Sequence, residues 1–226
     1  MAFAPAFGRP FAPTFDRHAA AAAAAAADWW TAGSAPTPVW VYTPKGAALL
    51  SASYSNLVNP GTYDAAPQVA PAFDAGTGWT SDGTKWLLAP SLTYAADQSQ
   101  VLLVRFSGVS GTGTFIGTGI GDGHFGIAPD FFGGKLYNNG AYTFIGTGAP
   151  GTAVMAVAGN QGYLNGATDG ATFAATGLPI TAAIGIFANN AGGEKVPGSI
   201  QAAAYWDTIT DVTTWLPLVM AAVALI

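Results

Sequence analysis

Between residues 39 and 207, short apolar runs alternate with Gly, Asn, Asp and Pro. This pattern predicts strands at Val39–Tyr42, Trp86–Leu88, Gln100–Ser107, Thr114–Ile116, His124–Ala128 and Lys135–Asn138. It predicts further strands at Tyr142–Ile145, Ala153–Ala158, Gln161–Leu164, Ala182–Ala188 and Gly198–Trp206. The runs Val101–Phe106 and Ala153–Ala158 are almost unbroken, as expected for central strands of a packed sandwich. Asn138-Asn139-Gly140 and Asn165-Gly166 are tight-turn signals. Many short strands at regular spacing predict an all-β sandwich or jelly roll. The five residues Phe-Ile-Gly-Thr-Gly occur at Phe115–Gly119 and again at Phe144–Gly148, an echo read as two similar hairpins.

The two ends of the chain break this pattern. Phe3, Phe7, Phe11 and Phe15 recur at every fourth position, interleaved with Pro5, Pro10 and Pro13. Each proline removes a backbone donor, so the segment reads as an extended arm with an aromatic stripe. Nine alanines, Ala19 to Ala27, then lead into Asp28-Trp29-Trp30. Alanine propensity predicts a short helix from Arg17 to Trp30 with Asp16 as N-cap. Thr31 to Pro38 reads as a linker. At the other end, Thr210-Asp211 opens a short C-terminal helix with Trp215, Leu218, Val219 and Val223 near one face, Pro217 sitting awkwardly inside it. The expected division is a docking arm at 1–38 and a sandwich at 39–226.

Composition narrows the function. The chain has 226 residues, half of them hydrophobic but only 8% charged. Ordinary domains carry about 25% charge. Gly, Thr, Ser, Asn and Ala replace the missing charge, so much of the surface is neutral. A net charge of −5 speaks against electrostatic capture of nucleic acid. The absence of Cys excludes a Cys-ligated zinc site, an iron–sulfur cluster and a thiol nucleophile. No window of consecutive apolar residues is long enough for a spanning helix, so no membrane partner is expected. Arg17-His18 ahead of the alanines has the outline of a signal peptide, but the preceding Pro- and Phe-rich residues do not fit one. The expectation is synthesis in a cytoplasm without a signal peptide.

Four segments in order resemble the concanavalin A-like, laminin-G-type jelly roll. They are Gly78-Trp79 through Trp86-Leu87, the Val101–Gly108 strand, Ala153–Gly170 with its Tyr163-Leu164-Asn165-Gly166, and Ile180–Asn190 followed by Gly198–Thr210 and a terminal helix. The arm, Gly8-Arg9-Pro10-Phe11 onward, and the start of the sandwich at Tyr42-Thr43-Pro44-Lys45 look like proteins encoded by tailed bacteriophages. That resemblance implies a virion component, a capsid decoration or appendage on the particle surface. Phe3, Phe7, Arg9, Phe11, Phe15, Arg17, Trp29 and Trp30 would dock it to other virion proteins. The polyalanine helix would suit a homo-oligomer such as a trimer.

Glucanases on this fold need paired carboxylates, and the chain has one glutamate, Glu194, in a Gly-rich loop. Asp122 and His124 are close in sequence, but no Gly-x-Ser-x-Gly elbow accompanies them, so no enzyme is expected. No cofactor is expected either; Asp122 and Asp130 are weak calcium candidates on the loop rim. The alternative to a virion role is a carbohydrate-binding, lectin-like module for host-surface glycans. Its candidate residues are Tyr137, Asn138, Asn139, Tyr142, Asn189 and Asn190, which combine aromatic platforms with amide hydrogen-bonding groups.

Overall fold

The computed structural model describes residues 28–94, 100–119, 124–149, 151–173, 180–207 and 210–226. The arm and the polyalanine run up to Ala27 lie outside the described residues.

Fifteen strands are described. In chain order they are β1 (Trp40–Tyr42), β2 (Ala66–Val69), β3 (Ala72–Asp74), β4 (Gly78–Asp82), β5 (Trp86–Tyr94), β6 (Val101–Ser107), β7 (Ile116–Gly117) and β8 (Phe125–Phe131). There follow β9 (Gly134–Asn139), β10 (Ala141–Ile145), β11 (Thr152–Ala158), β12 (Gln161–Leu164), β13 (Ala167–Asp169), β14 (Ile180–Ile186) and β15 (Pro197–Trp206). The first sheet runs β13-β12-β11-β6-β15-β4-β3, with β1 also paired to β15. The second runs β10-β9-β8-β7-β14-β5-β2. Every pairing is antiparallel. The expected two-sheet sandwich is present.

Its core lies between the sheets. Trp40, Tyr42, Trp79, Leu102, Val104 and Phe106 meet Leu87, Ile116, Phe125, Ile127, Tyr137 and Ile186 there. A second apolar cluster covers the opposite face of the first sheet. Val41, Val101, Leu103, Val154, Ala156, Ala204 and Trp206 pack under helix α2 (Val212–Val223) through Trp215, Leu216, Val219, Met220 and Val223. A shorter helix, α1 (Leu50–Ser53), lies in the loop after β1. The first sheet is therefore buried on both faces, which is why β6 and β11 read as continuous hydrophobic runs.

Two expectations about the ends change. Trp29–Ser34 form a 3-10 turn, not the last turn of an α-helix. Trp29 and Trp30 are buried in the second cluster, and the Trp29 indole donates to Thr43 Oγ1 at 3.0 Å. The Trp206 indole donates to the carbonyl of Pro36 at 2.8 Å. The stretch from Trp29 thus packs as part of the sandwich, ahead of the expected boundary at 38. On α2, Leu218 is not on the buried face. It is half-exposed, with its side chain over Gly33, where a Cβ would come within 2.7 Å of Leu218 Cδ1. The helix runs through Pro217. At its far end the Arg105 guanidinium donates to the carbonyl of Val223 at 3.0 Å, a cation at the negative end of the helix.

Candidate functional site

β10 is an edge strand, and it carries two exposed aromatic rings. Tyr142 pairs with Asn138 and Phe144 with Leu136. Directly paired residues share a face of the sheet. Tyr137 and its partner Ile127 point into the core, so the even-numbered residues of β9 point away from it. Tyr142 and Phe144 therefore stand on the outward face, two residues apart, about 7 Å along the strand. Tyr142 is 50% exposed and Phe144 47%.

The ridge extends past the strand. Phe131 pairs with Gly134 and so shares this outward face. A Cβ on Gly134 would meet the Phe144 ring at 2.5 Å, so the glycine is what lets that ring lie over the β9 backbone. Phe132, in the β8–β9 turn at φ +50°, is 76% exposed and packs edge-on to Phe131 with ring centroids 4.8 Å apart. Running inward from Tyr142, the paired residues are Asn138, Gly126, Gly117, Gly185 and Leu88. Three adjacent strands thus contribute no side chain to that row. The Ala188 and Asn189 carbonyls fold back onto Gly185 and close its far end, where a Cβ would lie only 2.3 Å and 2.4 Å from them.

The six glycan candidates fall into three groups. Tyr142 is on the ridge. Tyr137, Asn138 and Asn139 are a correction: they lie in strand β9 and are buried. The Tyr137 hydroxyl donates to Asp169 Oδ2 at 2.6 Å, and burial, then that bond, push its pKa up. Asn139 accepts from Gln100 Nε2 at 2.6 Å and donates to the Gly159 carbonyl at 2.9 Å. Asn189 turns its amide inward on its own loop, accepting from the Gly193 and Ala191 amides at 2.8 and 3.1 Å; Asn190 beside it is half-buried.

The docking candidates Phe3, Phe7, Arg9, Phe11, Phe15 and Arg17 lie outside the described residues, as does Asp122. Trp29 and Trp30 are a correction, since their rings are occupied by α2 and the first sheet. Asp130 accepts from the Gly111 amide at 3.2 Å. Among the described residues, no three acidic or imidazole groups gather as a metal site. His124 Nδ1 lies 3.4 Å from Thr118 Oγ1, and Glu194 accepts from Thr114 Oγ1 at 2.7 Å. Sequence reasoning missed Phe131, Phe132 and Phe144. The alternation Tyr142-x-Phe144 is the signal that could have found the last of these.

No protein-family model and no curated protein matches the chain. Solved structures do match. The Trypanosoma rangeli sialidase in complex with sialic acid is 16% identical at TM-score 0.55, over 84% of this chain and 34% of that one. Domain 4 of AbnA, a GH43 extracellular arabinanase from Geobacillus stearothermophilus, in complex with arabinotriose, is 12% identical at TM-score 0.53, over 84% of this chain and 98% of that domain. The chain spans about a third of the length of the sialidases it matches. Nothing in these matches points to a bacteriophage. What the chain shares with these structures is the fold, a two-sheet jelly-roll β-sandwich.

Proposed function

We propose that this protein is a non-catalytic carbohydrate-binding β-sandwich module, with the outward ridge of β10 as its sugar platform. The observation that carries this reading is the pair Tyr142 and Phe144, two large rings presented to solvent on one strand face. Solvent-facing aromatic rings offer flat apolar surfaces to the C–H faces of sugars, and the Tyr142 hydroxyl adds a polar handle. The likeness to a complete arabinanase domain bound to arabinotriose supports the same reading. The neutral surface and the single glutamate suit recognition without hydrolysis.

A virion role would rest on the arm. Two of its eight anchors, Trp29 and Trp30, are already packed within the sandwich, which weakens that reading.

The test is titration of the full chain with neutral oligosaccharides, arabino-oligosaccharides first, while tyrosine fluorescence and backbone amide shifts are followed. Saturable binding with shifts centred on β9 and β10 supports the proposal. Shifts confined to another surface, or no saturation across a broad oligosaccharide panel, overturn it.

A further inference from the structure

We propose, on the reading of β10 as a sugar platform, that Phe131 and Phe132 form its second half, so that the ridge takes an extended stretch of an uncharged polysaccharide, bound along its length and not by its end.

Phe132 stands where a phenylalanine is least expected. Phe131 pairs with Gly134, so Phe132 and Gly133 alone make the β8–β9 turn. Both have positive φ, +50° and +78°. Two-residue turns of that kind favour Asn-Gly, because a Cβ crowds the backbone in the left-handed region. Here a large ring occupies the first position and is 76% exposed. The turn geometry disfavours it, and burial returns little. An unfavourable backbone and an exposed apolar ring at one residue point to contact with something outside the chain.

The rings also form a continuous path. Tyr142 and Phe144 lie about 7 Å apart along β10. The Phe144 ring leans over Gly134 on β9, where a Cβ would meet it at 2.5 Å. Gly134 pairs with Phe131 on β8, whose ring lies 4.8 Å from that of Phe132. From β10 to β8 is two strand spacings, about 10 Å. The path from Tyr142 to Phe132 is therefore longer than a single sugar ring, and a monosaccharide could cover only one contact at a time.

The charged groups beside this path are engaged elsewhere. Lys135 is buried, paired with Asp169 and bonded to the Thr147 carbonyl, and Asp130 accepts from the Gly111 amide. The surface on offer is aromatic, with the Tyr142 hydroxyl as a polar handle, so the ligand is recognised through its C–H faces and not through acidic groups. Recognition of a chain end encloses the terminal sugar in a concave pocket. Rings that are 50%, 47% and 76% exposed at Tyr142, Phe144 and Phe132 form a raised surface instead, along which a chain can continue.

The experiment titrates the full chain with arabinobiose and arabinohexaose, and with cellobiose and cellohexaose. In at least one series the hexaose should bind saturably and roughly tenfold or more tightly than the biose. Phe132→Asn, which suits the turn, should remove most of that preference at little cost to the biose, while the melting temperature holds or rises. Phe132→Tyr should keep the preference. Tyr142→Ala with Phe144→Ala should weaken both lengths. A biose that binds as tightly as its hexaose, a hexaose indifferent to Phe132→Asn, or equal losses of both lengths in that variant overturns this proposal and leaves the β10 platform standing. No saturation in either series overturns both.

Discussion

The Tyr137 hydroxyl donates to Asp169 Oδ2 at 2.6 Å, from β9 in the second sheet to β13 in the first. Lys135, also on β9, lies 3.5 Å from the same carboxylate oxygen and donates to the Thr147 carbonyl at 2.8 Å. This polar group ties the two sheets together. It also explains why Tyr137 is not available to a ligand.

Breaking that tie should cost stability and leave binding alone. Tyr137→Phe removes one hydrogen bond and should destabilise by about 1–3 kcal/mol. Asp169→Ala leaves a buried lysine without its partner and should cost more, on the order of 3 kcal/mol or above. Urea unfolding midpoints of the two variants check the order.

Stability should fall steeply at alkaline pH. Tyr42, Tyr137 and Tyr205 all have pKa values pushed above the ordinary 10.0, by burial first. Asp64, Asp169 and Asp207, respectively, add to the effect. Above pH 10 the unfolded chain loses these protons while the folded chain keeps them, so stability is full below that pH and lost as pH rises through the folded values. Each tyrosine contributes a slope of about 1.4 kcal/mol per pH unit. Denaturation midpoints between pH 8 and 11, compared with a Tyr42→Phe variant, should show the slope fall by about one proton.

Trp29→Ala should behave as a core substitution. It removes a ring buried against α2 and the first sheet, a change that costs about 3–5 kcal/mol. Thermal unfolding should show a large drop, and proteolysis should begin near α2. An unchanged midpoint would mean that the turn at Trp29–Ser34 is only loosely attached.

On the ridge the expectation is reversed. Tyr142→Ala with Phe144→Ala should weaken oligosaccharide binding by roughly tenfold or more, as truncating an aromatic anchor does. The melting temperature should barely move, because both rings are about half exposed. Phe132→Ser, at the outer end of the ridge, should have a smaller effect on the same titration.

Much of the fold was legible because apolar residues mark buried strands. Val101–Phe106 reads as a central strand on hydrophobicity alone. Ala66–Val69 and Ala167–Asp169 do not, since an edge strand can consist mostly of exposed residues and carry no alternation to detect. The candidate site was harder to read. Asn138-Asn139-Gly140 looks like a solvated turn, yet only Gly140, at φ +85°, makes the reversal, while both asparagines stay in the sheet. The repeated Phe-Ile-Gly-Thr-Gly shows the limit most directly. Phe115 is fully buried between Phe106 and Phe187, whereas Phe144 is half exposed. The five residues are identical; the strand register that aims each ring is set by distant partners.

The double covering of the first sheet bears on how such a chain can diverge. In β6 and β15, neighbouring residues face different layers, so a change of size at any position must be matched either by the opposite sheet or by α2. The outward positions of β10 have no such counterpart to satisfy. The rings at Tyr142 and Phe144 can be exchanged without re-fitting the interior, so chains that share almost no sequence can keep one architecture while their exposed strand faces drift apart.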